Sequence, residues 1–343
     1  MIPGLKVLSP GLHTTVQDLG RVGYQALGVP VSGALDPLAL RLANALVGNS
    51  SGLAALEILW SGPTMEVTAE AARVALGGPG ASLAVGGERH VVPAWQSVTL
   101  ARGEVIQVNL GRESVCTYLA VEGGVAVPAV LGSASTYVRA GLGGFKGRAL
   151  QGGDVVPLAV DRALERDEWR LSPPPPALSE EPVRVVLGPQ DDRFADDALA
   201  ALLDAEFVIS KSADRMGMRL DGPLLRHRRG WDIVSDAIAT GAIQVPGSGQ
   251  PILLLADHQT TGGYPKIAIV ISADLPVVGR RRPGDAIRFA EVSVAEAEEL
   301  ARDLEHHVAA RIASLEAAAA AGGIDLGSLY SGNLISGVVT ATE

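Results

Sequence analysis

Apolar residues along this chain come in short runs bounded by glycine, proline and polar residues. Val115–Val121, Val183–Leu187, Ile252–Ala256 and Ile267–Ile271 are four such runs. Runs of this length with turn residues at their ends read as buried strands. A turn signal recurs as well: Gly103-Glu104, Gly153-Asp154 and Gly284-Asp285 each stand before an apolar pair. Glycine reaches positive φ and the acid can close the turn, so each pair predicts a turn entering a strand.

Helical signals are scarcer. Asp36 as N-cap with Pro37 at the first helical position predicts a helix over Pro37–Leu46, and Asp196–Leu203 predicts a second. Ser293 followed by Glu296 makes a capping box ahead of Val294–Ala321, a run of helical composition that ends at Gly322-Gly323. Ile324–Glu343 reads as a loop with a short apolar strand at Ile335–Val339. The pattern is mainly β with minor helices: two Greek-key-like or barrel-like β domains, not a doubly wound α/β fold.

Composition sets the boundaries. Ser172–Pro182 holds four consecutive prolines and the acidic pair Glu180 and Glu181, an extended linker. It divides the 343 residues into a first domain over 1–171, a second over 183–292, and a helix with tail over 293–343. With 47% hydrophobic and 19% charged residues, the chain is globular rather than disordered. A net charge of −10, from 28 basic and 38 acidic residues, argues against sequence-independent nucleic-acid binding. The one cysteine, Cys116, excludes an internal disulfide and a multi-cysteine zinc site, and reads as a buried inert thiol. No apolar run has the length of a leader or a membrane span, so the expectation is a cytoplasmic protein without membrane contact.

Familiar catalytic signatures are missing. There is no GxxxxGK[ST] phosphate loop, no HExxH, no GxSxG, and no GxGxxG opening a helix after a strand. The six histidines have no metal-site spacing, so no metal is expected. No Met-Lys-Met motif offers a lysine for biotin.

Five dense polar clusters carry the candidate chemistry. The first is Thr14-Thr15-Val16-Gln17-Asp18-Leu19-Gly20-Arg21, where an amide, an acid and a guanidinium suit an anion or a planar amide. An Asp18–Arg21 pair pinning the N-terminal segment would explain it equally. The second runs from Ser32 to Asp36, and helix capping by Asp36 suffices for it. The third, Gly143-Gly144-Phe145-Lys146-Gly147-Arg148, sets converging backbone N–H groups beside two cations, an anion site or merely a turn. The fourth, Lys211 to Gly217 with Asp214 and Arg215, reads as an anion contact or a solvated turn. The fifth is the richest: Gln244 and Gln250 precede Asp257-His258-Gln259-Thr260-Thr261-Gly262-Gly263-Tyr264-Pro265-Lys266, a loop between two buried strands. Here Asp257 or Asp274 is a candidate base, Lys266 an electrophile or charge clamp, Tyr264 a donor, and Gln259 an amide contact. Because ligand sites form at domain junctions, Gln17–Arg21 and Asp257–Lys266 are expected to share one cleft. Arg21 or Lys146 would bind an anion there, and Lys266 would stand near the reacting carbonyl.

Taken in order, the motifs resemble the KipA/allophanate-hydrolase-subunit-2 family, also called the biotin-dependent carboxyltransferase family. They are TTVQDLGR (Thr14–Arg21), SGALD (Ser32–Asp36), ANALVGN (Ala43–Asn49), Glu57 with SGP (Ser61–Pro63) and LGSAST (Leu131–Thr136). GR-x-L-x-x-GD (Gly147–Asp154), LGPQDDRF (Leu187–Phe194), SADRMGMRL (Ser212–Leu220) and GAIQVPGSGQPI (Gly241–Ile252) follow, then DHQTTGGYPKIAIVISADL (Asp257–Leu275) and PGDAIRF (Pro283–Phe289). One departure stands out: Gly279-Arg280 replaces the usual Ala-Gln. The resemblance implies two tandem cyclophilin-like β-barrels. It also implies a place in an ATP-dependent 5-oxoprolinase that opens the 5-oxoproline lactam to glutamate, with partner subunits A and B or their equivalents and with ATP used by the complex. The first alternative is carboxyl transfer from a separate biotinylated carrier to an amide such as urea. The second is a non-enzymatic regulator that antagonises a kinase inhibitor.

Overall fold

The computed structural model describes residues 2–87, 90–175 and 181–318. The architecture is mainly β, with four α-helices among the described residues. In the first half, a six-stranded sheet faces a five-stranded one. The six-stranded sheet runs in the order 155–157, 4–9, 64–67, 105–109, 82–85 and 90–93. The five-stranded sheet runs 13–17, 55–59, 116–121, 71–77 and 97–101. Alternate residues from both sheets meet in one core: Leu5, Val7, Met65 and Ile106 from the first, Val16, Leu56, Ile58 and Leu119 from the second.

The second half is built on an eight-stranded sheet in the order 286–287, 207–214, 217–221, 252–254, 242–244, 266–270, 183–187 and 289–291, with a two-stranded ladder of 236–237 and 261–262 beside it. Its two edge strands are separated in sequence only by Arg288, so the sheet curls until its edges nearly meet in a barrel.

The glycine–acid pairs do what their pattern predicts. Gly103, Gly153 and Gly284 take φ of 85°, 88° and 95°. Each following acid accepts a backbone N–H from three residues earlier: Glu104 from Ala101, Asp154 from Gln151, and Asp285 from Arg282. A strand starts immediately after each turn.

Helix α1, Pro37–Leu46, is capped by Asp36 Oδ1, which accepts from Ala39 N at 2.9 Å. It lies on the outer face of the five-stranded sheet and touches α3 (Leu275–Arg280) and α4 (Val294–Ala313) of the second half. Leu40, Leu42, Leu46 and Tyr118 share one apolar core with Val185, Phe207, Ile243 and Phe289, so the core runs through α1 from one half to the other. α2 spans Asp196–Asp204, as its pattern predicts.

The capping box of α4 forms as predicted, but the helix stops at Ala313 instead of continuing to Ala321. Glu316–Ala317 leave it to pair with Trp169–Arg170, and a tertiary strand contact overrides the alanine-rich helical pattern. The predicted cap at Gly322-Gly323 and strand at Ile335–Val339 lie outside the described residues. No described helix is long and apolar enough to cross a membrane.

Candidate functional site

The face of the five-stranded sheet that looks at α1 and the second half carries polar groups. Thr14 and Thr15 pair with Ile58 and Glu57, and Glu57 pairs with Tyr118, so His13, Gln17, Glu57 and Tyr118 fall on that one face by strand alternation. Glu57 is fully buried. Its Oε2 accepts from Tyr118 Oη at 2.7 Å and from Leu35 N at 2.9 Å, and its Oε1 accepts from Arg215 Nη1.

Arg215 enters from the hairpin of the second half and has every nitrogen engaged. Nε and Nη2 hold the two oxygens of Asp257 at 2.9 and 3.0 Å, and Nη2 also donates to Gly33 O at 2.7 Å. Burial works to lower the guanidinium pKa, but Glu57 and Asp257 outweigh it and hold the pKa raised. Beside this node, Asp36 Oδ2 accepts from Arg280 Nε, so the cap residue of α1 also pairs across the junction. Gly279 lets α3 approach this closely: a Cβ there would stand 2.2 Å from Leu35 O. The Gly279-Arg280 departure is thus a seat for Leu35 joined to a partner for Asp36.

Next to the saturated node lies an unsaturated group. Arg21 N donates to Val31 O, Ser32 N donates to Ala256 O, and Ala34 N donates to Asp18 O, which lays residues 17–21 against 31–34 and these against Asp257. Arg21 is 1% exposed. Its Nη2 donates to Ser135 O, while Nε and Nη1 meet no acceptor. Burial pushes its pKa down against the pull of Asp18 and Asp257. Gln17 Nε2 donates to Thr136 O and Thr15 Oγ1, but its Oε1 is unmet, as are Ser32 Oγ and His13 Nδ1. Asp18 makes no ion pair with Arg21. It accepts from Gly20 N, Ser133 Oγ, Ser135 Oγ and Ala134 N, pinning the 133–135 loop.

The junction therefore assembles Gln17, Asp18, Arg21, Ser32, Asp36, Asp214, Arg215 and Asp257. Asp214 closes its hairpin turn and reaches Arg139 at 3.7 Å. Lys266 is not part of this group. In the sheet register it lies level with Gln244 and Ile252, while Asp257 follows five residues after Ile252. Asp257 thus lies past the end of the strand Ile252–Leu254, against Arg215, while Lys266 faces other partners. Lys266 Nζ bonds Asp236 Oδ2 at 2.9 Å, and Gln259 and Tyr264 gather round Gln244 on the same side. Thr260 O accepts from Ile238 N, and Thr261 pairs with Ala237.

Three other candidates sit in local roles. Arg148 forms a two-pronged pair with Asp154, exposed Lys146 lies 5.0 Å over the Phe145 ring, and Gln250 donates to Asp221. The glycines of that third cluster are filled rather than open, since a Cβ on Gly144 would meet Thr136 Oγ1 at 1.9 Å. The two candidate bases are engaged as well: Asp257 by Arg215, and Asp274 by Arg184 N and side chain.

Sequence reasoning passed over His13, Tyr118 and Asp236, placed Glu57 and Gln190 in motifs without a role, and marked Arg280 only as a departure from the family pattern. Glu57 had a signal, a lone carboxylate in the otherwise apolar strand Ala55–Leu59. A cavity of about 720 Å³ lies elsewhere, between α1, α3 and α4, with an apolar wall of Leu38, Leu42, Val183, Pro276 and Leu304. It contains none of the unmet junction groups.

Residues 27–291 match the family model described as "Carboxyltransferase domain, subdomain A and B". The chain is 35% identical over 303 residues to the C subunit of 5-oxoprolinase from Escherichia coli K12, covering 88% of this chain and 96% of that one. The corresponding protein of Haemophilus influenzae is 36% identical over 298 residues, covering 87% and 94%. Among solved structures, TTHA0988 has a TM-score of 0.72 at 36% identity, and Kluyveromyces lactis urea carboxylase has 0.81 at 28%. The match covers 84% of this chain and 55% of TTHA0988, and 91% of this chain and 29% of urea carboxylase. The chain thus spans about half of the one solved protein and under a third of the other.

Proposed function

The chain belongs to the carboxyltransferase-domain family of subdomains A and B, and from that premise we propose that it is the C-type subunit of a 5-oxoprolinase. The complex opens 5-oxo-L-proline to L-glutamate, uses ATP, and contains partner subunits of A and B type. Nearly end-to-end likeness to two proteins named as the C subunit of 5-oxoprolinase supports this reading.

The observation that carries it to a site is the set of unmet buried groups at the junction. Arg21 offers two donor nitrogens, Ser32 a hydroxyl, and Gln17 an amide oxygen that only accepts. 5-Oxoproline presents the complement: a carboxylate for the guanidinium, a lactam carbonyl for the hydroxyl, and a lactam N–H for the amide oxygen. Opening the ring requires water to add at the lactam carbon while the carbonyl oxygen gains charge. A donor aimed at that oxygen stabilises the developing charge. In this arrangement Asp257 and Glu57 hold Arg215 and fix the walls, rather than moving protons themselves. The glycines at 143–144 are packed against Ser135 and Thr136, so they give no phosphate cradle. In the assembled complex, ATP would supply activation of the lactam oxygen.

A second reading, carboxyl transfer from a separate biotinylated carrier to an amide such as urea, is favoured by the similarity to urea carboxylase. One assay separates the two. The purified chain alone is expected to release no glutamate from 5-oxoproline with ATP, and addition of the A- and B-type partners is expected to start release. Urea carboxylation with a biotinylated carrier, with no glutamate from the full complex, would replace the first reading by the second.

A further inference from the structure

Lys266 is 2% exposed. A buried ammonium needs acceptors for its three donors, yet the one hydrogen bond described for Nζ goes to Asp236 Oδ2. That same oxygen also accepts from Gln190 Nε2 at 3.2 Å. Gln190 Oε1 accepts from the backbone N–H of Lys266 at 3.1 Å, which orients the amide so that its NH₂ points with the ammonium. Two donors on a rigid strand and its neighbouring turn thus converge on one carboxylate oxygen.

The carboxylate comes from a different kind of structure. Asp236 is half exposed, and from Arg228 to Ala237 every residue except Ile233 is exposed. At its start this strap is tied by Arg228 to Arg193 O and Asp196, and towards Asp236 it is attached by a two-residue ladder to Thr261–Gly262 and by Ile233 N to Gly263 O. Trp231 on the strap sits with its ring 6.1 Å from Tyr264, and Val234 is 92% exposed. Here the cation is fixed in the sheet, and the anion is carried on a solvent-exposed segment, the kind of structure that opens locally at lowest cost. The amides of Gln244 and Gln259 lie alongside, joined only by a long 3.4 Å bond.

We propose that Lys266 Nζ and Gln190 Nε2 form a carboxylate-binding site of their own, closed in this conformation by Asp236, which a small carboxylate ligand displaces together with the strap. The class of ligand follows from the present occupant, because the donors already hold a carboxylate. The site shares no hydrogen-bond partner with Arg21 among those described, and its existence does not depend on the ring-opening reading.

Asp236 acts as an internal competitor, so removing its charge raises the fraction of open sites and tightens the apparent affinity. The test titrates acetate, 5-oxo-L-proline and L-glutamate into the full chain, with calorimetry and Trp231 emission as readouts. An Arg21→Met background silences the junction. Asp236→Asn is expected to tighten binding about tenfold and Lys266→Met to abolish it, with Trp231→Phe removing the emission change. Binding of one carboxylate alone identifies the ligand, and binding of all three marks a general carboxylate site. If Lys266→Met does not fold, Gln190→Leu is expected to weaken binding severalfold. The proposal is overturned if no carboxylate binds Asp236→Asn, or if binding is indifferent to Asp236, Lys266 and Gln190.

Discussion

Arg215 and Arg21 are two buried guanidinium groups a short distance apart at one junction, and they are treated in opposite ways. Arg215 has two carboxylates and a carbonyl that engage all three of its nitrogens, and Glu57 is itself held by Tyr118 and Leu35. Arg21 is as deeply buried and has a single carbonyl. A desolvated cation with satisfied donors binds parts of the protein together, while one with unmet donors is ready for a ligand. Location and charge do not distinguish the two residues; the count of acceptors does.

The largest effect expected from this contrast is on stability. Arg215→Met leaves Glu57 and Asp257 buried without their cation and is expected to cost about 3–5 kcal/mol in chemical denaturation. Changing Glu57→Gln and Asp257→Asn as well is expected to restore much of that loss, since no bare charge then remains. A wild-type denaturation curve for Arg215→Met would erase the contrast.

Arg21→Met tests the other side. Loss of a charge-assisted bond to substrate, on the order of 1.5–3 kcal/mol, lowers turnover of the assembled complex roughly tenfold to a hundredfold. Stability should hold or rise, because an unsatisfied guanidinium is removed. A fall in melting temperature with normal turnover per folded molecule would make Arg21 a second Arg215.

The smallest effect concerns pH. Burial, with Arg215 adding to it, pushes the His13 imidazole below its usual pKa, against the pull of Glu57, Asp257 and Asp214. The folded value is depressed, so the unfolded chain binds the proton more readily. His13 therefore contributes stability above its unfolded pKa of about 6.5, and that contribution is lost as pH falls through the lower folded value. His13→Asn is expected to flatten the acid limb of a stability–pH curve slightly. An unchanged limb would show that His13 senses nothing at the node.

How much of this was legible depended on the range of each interaction. The glycine–acid turns, the Asp36 cap and the Ser293–Glu296 box complete themselves within three residues, and the sequence displays both members. Glu57 displays one member: its burial in an apolar strand calls for a cation, but Arg215 lies 158 residues away and nothing local names it. Tyr118 reads as one more core residue in Cys116–Val121 until the register sets it opposite Glu57. The short helix α3 escaped notice because Pro276 and Gly279 in six residues look like a turn. Asp236 gave no signal, since its role depends on where a surface strap crosses a strand. Likewise, the separation of Lys266 from Asp257 follows from strand register, which sequence proximity within one loop conceals.

The passage of one apolar core through α1 has a consequence for how such a protein can be rearranged by recombination. α1 is encoded with the first half, yet α3, α4 and the second-half strands complete its cover. A fragment ending before Val183 would leave Leu42 and its neighbours facing water, and a fragment beginning there would lack the surface on which its own core closes. The proline-rich junction in the sequence is therefore a poor place for a gene to be cut and its halves dealt to new contexts. The heritable module is the pair, and calorimetric melting is expected to show it as one transition.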